Sequence, residues 1–100
     1  MRDLAIVEFL YSTGVRVGEL VQIKKSDIDF DNRECIVLGK GNKQRKVYFD
    51  SKTKLHLVEY LSKRKGNSDF LFLSLNKPYN KLEISGVEIM LRNLGGAIAI

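Results

Sequence analysis

Two short stretches hold residue types and spacings that could do chemistry. The first is Thr13-Gly14-Val15-Arg16-Val17-Gly18-Glu19-Leu20. Arg16 is expected at the start of a helix, where unpaired N–H groups and the helix dipole favour an anion. A guanidinium there can grip two phosphate oxygens at once. Glu19 lies three residues on, on the same helix face, and can steer the arginine. Taken from the residues alone, a surface ion pair between positions i and i+3 is the more economical account of this pair. The second stretch is Gly39-Lys40-Gly41-Asn42-Lys43-Gln44-Arg45-Lys46, with four basic residues in the seven positions from Lys40 to Lys46 and no acid. On a glycine-rich hairpin tip such residues can enter a groove or follow a phosphate backbone. A solubilising loop is the other reading. The spacing GxxxxGK[ST] is absent and the loop joins strand to strand, so this is not a nucleotide-binding P-loop.

The elements that must position these residues follow from apolar patterning. Residues 3–12 are apolar on most sides, which predicts a buried helix with Asp3 as N-cap. Thr13-Gly14 breaks it, and a second short helix is expected over 16–23, burying Val17, Leu20 and Val21. Turn signals at Asp31-Asn32-Arg33 and Gly39-Lys40-Gly41-Asn42 separate three antiparallel strands, at about 28–30, 34–38 and 45–49. Helical spacing returns over 51–65, with Leu57, Tyr60 and Leu61 buried and Lys52, His56, Glu59 and Lys63 on the opposite face. Phe70-Leu71-Phe72-Leu73 is a short buried extended run, and Asn76-Lys77-Pro78 is a loop. Ser85-Gly86-Val87-Glu88 matches a capping box opening a last helix on Val87, Met90, Leu91 and Leu94. Gly95-Gly96 weakens that helix. The apolar end Ala97-Ile98-Ala99-Ile100 looks like an interrupted structure, which predicts exposed core surface and self-association. The expected fold class is α+β, helices packed around a small three-stranded antiparallel sheet.

Composition narrows the function classes. The chain has 100 residues, the size of one small domain or part of a larger one, and 44% of them are hydrophobic. Its net charge of +5 suits a polyanionic partner, although ordinary cytosolic proteins carry such an excess too. One cysteine, Cys35, and one histidine, His56, rule out an internal disulfide and a Cys/His zinc site. No apolar run approaches bilayer length, and no signal-peptide pattern follows Met1, so a soluble cytoplasmic protein is expected.

Taken together, the stretches resemble the tyrosine recombinase (phage integrase) family. Arg2-Asp3-Leu4-Ala5-Ile6 followed by Leu10 to Leu20 looks like the family's first catalytic box. Lys25-Ser26-Asp27-Ile28-Asp29-Phe30 looks like its link into the sheet. Gly39 to Val47 is similar to the hairpin of the bacterial Xer-type enzymes. The resemblance implies phosphoryl transfer on double-stranded DNA through a 3′-phosphotyrosyl intermediate, with no metal or other cofactor. Arg16 then matches the arginine that clamps the scissile phosphate, Glu19 its acidic support, and Lys40 the lysine that protonates the leaving 5′-oxygen. Lys43, Arg45 and Lys46 are expected to contact DNA. Tyr48 stands where relatives often have Pro.

The departures are as informative. The family's His-x-x-Arg box, its later His or Trp and its tyrosine nucleophile are expected beyond Ile100. The separate amino-terminal DNA-clamping domain is missing from this stretch. Tyr11, Tyr48, Tyr60 and Tyr79 are read as packing or surface residues, and His56 is no stand-in for the missing histidine. Residues 1–100 are therefore expected to be a partial catalytic domain, inactive alone, from a parent that assembles as a tetramer on DNA. The alternatives are a non-catalytic DNA-binding module using the 39–46 hairpin, or an interaction domain whose charge is merely solvated.

Overall fold

Ala5, Ile6, Phe9 and Leu10 recur at helical spacing and form the buried stripe of α1 (Arg2–Thr13). This stripe is one face only: Leu4 and Tyr11 are exposed on the other, so the helix is less enclosed than its apolar content predicts. A computed structural model describes residues 2–75 and 78–94. Asp3 lies inside the first turn rather than at the cap, and its carboxylate accepts from the Arg2 guanidinium at 2.9 Å. At the other end the Thr13 hydroxyl donates to the Phe9 carbonyl at 2.7 Å. Gly14, at φ 73°, then turns the chain out of the helix.

The second helix is shorter than expected. α2 (Val17–Leu20) is a single turn; beyond it Val21 and Ile23 are buried, and the N–H groups of Gln22 and Ile23 donate in the tighter i→i+3 pattern to the carbonyls of Glu19 and Leu20 at 3.2 Å. Ile23 to Lys25 then runs antiparallel to the 69–71 segment. Leu71 N–H donates to the Ile23 carbonyl at 2.8 Å and Lys25 N–H to that of Asp69 at 2.7 Å. The expected extended run at 70–73 is thus pinned, and Leu71, Phe72 and Leu73 are buried.

The sheet is antiparallel in the order β1 (Ile28–Asp29), β2 (Glu34–Leu38), β3 (Gln44–Tyr48), with edges within a residue of those expected. Side chains alternate across it. Cys35, Val37 and Val47 face the core, while Ile36, Leu38, Lys46 and Tyr48 face solvent. Burial, with the Asp27 charge adding to it, pushes the Cys35 thiol up to about 12.

α3 (Ser51–Lys63) starts at Asp50, whose carboxylate accepts the Thr53 N–H at 2.8 Å. It ends two residues before the expected 65, because Arg64 leaves the helix to donate to the carbonyls of Ser68, Phe70 and Leu71. Thr53, Leu57 and Tyr60 are buried and Leu61 is half-buried. The outward side carries Leu55 and Val58, so Lys52, His56, Glu59 and Lys63 flank the buried stripe instead of opposing it. His56 Nδ1 is buried and makes no hydrogen bond among the described residues.

The last helix, α4 (Ile84–Asn93), begins one residue before Ser85, which corrects the expected capping box. Glu83 is the extended N-cap residue, so Ser85 is already helical. Val87 and Met90 are buried, Leu91 is partly buried, and Leu94 is exposed. At the centre, the Phe9 ring lies 5.8 Å from Phe49 and 6.5 Å from Phe72, and Tyr60 stacks on Phe72 at 5.5 Å. No helix among the described residues is long and apolar enough to cross a membrane. Residues 76 and 77 of the expected loop, Gly95-Gly96, and the apolar end on which self-association was expected lie outside the described residues.

Candidate functional site

Glu19 is the point where the two chemically distinctive stretches meet. Gly14 ends α1, buried Val15 anchors the turn, and Arg16 follows with extended backbone (φ −81°, ψ 156°) as the N-cap residue of α2. Glu19 Oε1 accepts the Arg16 backbone N–H at 2.8 Å. Its hold on Arg16 is therefore on the main chain, not on the guanidinium as the spacing predicted. Arg16 stands at the start of a helix as expected, but that helix is a single turn and sums few peptide dipoles, and Glu19 already occupies the Arg16 N–H. The Arg16 side chain is exposed and makes no hydrogen bond or ion pair among the described residues.

The second partner of Glu19 comes from the sheet. Arg45 pairs with Val37 across β2 and β3, which puts its side chain on the inward face. Its guanidinium closes on Glu19 in a fork, with Nη1 donating to Oε2 and Nη2 to Oε1 at 3.2 Å. Burial raises the pKa of the Glu19 carboxyl. The Arg45 bond, the Arg16 N–H and the charges of Arg45 and Arg16 more than offset that and hold it below the usual carboxylate range.

Gly39 passes directly over this pair. A Cβ on Gly39 would stand 3.2 Å from Glu19 Oε2 and 3.7 Å from Arg45 Nη1. The tip follows over Lys40–Asn42 as an irregular turn, with positive φ at Gly41 (72°) and Asn42 (60°). Gly39 N–H donates to the Lys43 carbonyl at 2.8 Å, which closes the loop. Lys40 and Lys43 are exposed and make no ion pair among the described residues. Lys46, one residue out of phase with Arg45, lies on the solvent face and pairs with Glu34 at 3.5 Å.

The structure therefore joins Arg16, Glu19, Arg45 and the base of the Lys40 turn, and sends Lys46 to the other side of the sheet. The Arg45–Glu19 pairing was missed from sequence. The signal was present, since Arg45 is two residues from Val47 and shares its face. Among the tyrosines, Tyr60 is buried and its oxygen accepts the Leu73 N–H at 3.1 Å. Tyr11 and Tyr48 are exposed, and Tyr79 is half-buried.

The sequence pattern described as the phage integrase family matches residues 1–98. The tyrosine recombinase XerC of Staphylococcus aureus is 47% identical over 79 residues, covering 75% of this chain and 26% of that protein. The crystal structure of XerA recombinase superposes with a TM-score of 0.83 at 36% identity, over 99% of this chain and 38% of that one. The site-specific recombinase XerH, bound to a palindromic difH substrate in a post-cleavage complex, gives 0.73 at 26% identity, over 94% and 29%. The chain thus spans about a quarter of the length of the curated relatives it matches.

Proposed function

The chain belongs to the phage integrase family, and from that premise we propose that it is part of the catalytic domain of a recombinase that breaks and rejoins double-stranded DNA. The observation that carries the reading is the single Glu19 carboxylate, which holds the backbone of Arg16 and lies against Gly39, the residue before Lys40. Two exposed cations from separate elements are thereby anchored at one place, as a phosphate clamp and a proton donor require. That XerH is described on its difH substrate supports DNA as the partner here too.

In this reading Arg16 holds the non-bridging oxygens of the scissile phosphate and stabilises the charge that builds on them. A tyrosine supplied from outside residues 1–100 attacks phosphorus and forms the phosphotyrosyl bond. The bond to the 5′-oxygen breaks as the Lys40 ammonium gives that oxygen a proton. Glu19 keeps Arg16 in place and Lys43 contacts the backbone, whereas Lys46, paired with Glu34 on the far face of the sheet, is taken out of the expected contacts. The covalent step conserves the energy of the phosphodiester, so no ATP or other cofactor is used. By itself the chain does not complete this reaction. The intact recombinase works in the cytoplasm, as a tetramer on DNA.

Duplex binding by the 100-residue chain tests the assignment of the cations. Binding should be weak and sequence-independent, and should fall steeply with salt. Arg16→Ala and Lys43→Ala should each flatten the log–log slope by roughly 0.9, the value of one released phosphate contact. Slopes equal to that of the unmodified chain would remove these residues from the interface.

A further inference from the structure

Of the cations of the basic hairpin, Arg45 is the one held against a nearly buried carboxylate among the described residues. We propose that Arg45 is a positioning residue: by clasping Glu19 it holds the hairpin tip against the turn that carries Arg16, and so sets where Lys40 stands relative to the phosphate clamp. This inference rests on the reading of Arg16 and Lys40 given above, and it takes Arg45 out of the set of expected DNA contacts.

Four observations carry it. First, the β2–β3 ladder ends at the Leu38–Gln44 pair, so the tip lies beyond the sheet's own hydrogen bonds. Within the tip, Gly39 N–H to the Lys43 carbonyl closes the loop on itself but fixes it to nothing else. An outside anchor is needed, and the guanidinium of Arg45, one residue into β3, reaches one.

Second, the anchor is asymmetric in burial. The Glu19 side chain is 10% exposed and that of Arg45 47%. Were Arg45 to turn to a DNA phosphate, a nearly buried carboxylate would lose its charged partner, which costs more than an exposed arginine gains at a backbone contact. Third, Gly39 leaves the room the clasp needs. Any Cβ there would press on Glu19 Oε2 at 3.2 Å, while Arg45 holds that oxygen in place. Fourth, Glu19 grips the main chain of Arg16. A shift of the carboxylate therefore moves the Cα of Arg16, not merely a flexible side chain. One carboxylate thus couples the bases of both cations, Arg16 through its N–H and Lys40 through its neighbour Gly39.

Strand alternation explains why two adjacent basic residues have different tasks. Arg45 is in phase with Val47 and faces inward, whereas Lys46 is out of phase and faces solvent. Lysine could supply the charge of Arg45 but not the two-pronged geometry that meets both carboxylate oxygens.

Amide hydrogen exchange on the 100-residue chain, without DNA, tests the clasp. Arg45→Gln and Glu19→Gln should each speed exchange of the Gly39 amide roughly tenfold, the scale of a lost charge-assisted bond. The double variant should add little to either single one, and Arg45→Lys should recover part of the protection. Amides in the middle of α1 should keep their rates in all variants. Duplex binding is the second arm: Arg45→Gln should lower affinity while leaving the salt slope unchanged. Unchanged Gly39 exchange, additive effects in the double variant, or acceleration spread equally into α1 would each overturn the proposal. So would a slope flattened by about 0.9, which would make Arg45 a phosphate contact. Absence of any DNA binding would instead sink the functional reading, and the exchange arm would still report on the clasp.

Discussion

At the scale of the residue, Glu19 behaves as a carboxylate whose charge is held by its partners against burial. Removing Arg45 leaves the burial in place and takes away the largest opposing influence, so the Glu19 midpoint should rise in Arg45→Gln. A carboxyl-carbon NMR titration reads this directly, and an unmoved midpoint would mean that the fork does not persist in solution. The sign carries over to stability. A lowered folded-state pKa gives stabilisation that is present above the unfolded carboxylate value and is lost as pH falls through the folded one. The variant should lose that acid-sensitive part. Sequence alone showed the Arg16–Glu19 spacing but not its geometry. Three residues apart fits a side-chain pair and equally fits a carboxylate reaching back to a main-chain N–H, and only the extended backbone at Arg16 selects the second. Arg45 was hidden for a different reason. It sits in a run of cations, where charge suggests a shared role and only strand phase separates one residue from the next.

At the scale of the element, the architecture converges on Phe9. Its ring joins α1 to Phe49 at the end of the sheet and to Phe72 in the pinned 70–73 segment. The aromatic cluster thereby fixes α1, whose C-terminus delivers Arg16. Phe9→Ala should cost about 3–5 kcal/mol, the usual scale for a buried aromatic. That is a large share of the 5–15 kcal/mol or so that holds a typical domain. Urea unfolding measures the loss, and a cost below about 1 kcal/mol would contradict the central place given to this ring. Tyr11, on the exposed face of the same helix, should be replaceable by Ala within about 0.5 kcal/mol. Strand edges were legible because turn residues and period-two burial mark them on both sides. Helix ends were less so. α2 stops after one turn because Ile23 to Lys25 is drawn into pairing with 69–71, and Arg64 leaves α3 to satisfy carbonyls up to seven residues on. Both are long-range demands that no local pattern announces.

At the scale of the whole molecule, the fold brings a turn and a hairpin, far apart in sequence, to one carboxylate. Family membership was legible before the fold because those two boxes stand in register along the chain. The arrangement that makes them one site was not, since it depends on packing across the core. In an intact recombinase carrying this segment, the most direct measurement is cleavage of DNA whose bridging 5′-oxygen is replaced by sulfur. Lys40→Ala should slow cleavage of ordinary DNA by roughly 10²–10⁴-fold, the scale of a lost proton donor. The sulfur substrate should restore its rate, because a thiolate leaves without being protonated. Arg16→Ala should stay slow on both substrates, since its task lies at the non-bridging oxygens. The 100-residue chain alone should form no covalent adduct with either. Equal rescue of both variants, rescue of neither, or an adduct trapped on the chain alone would contradict the account.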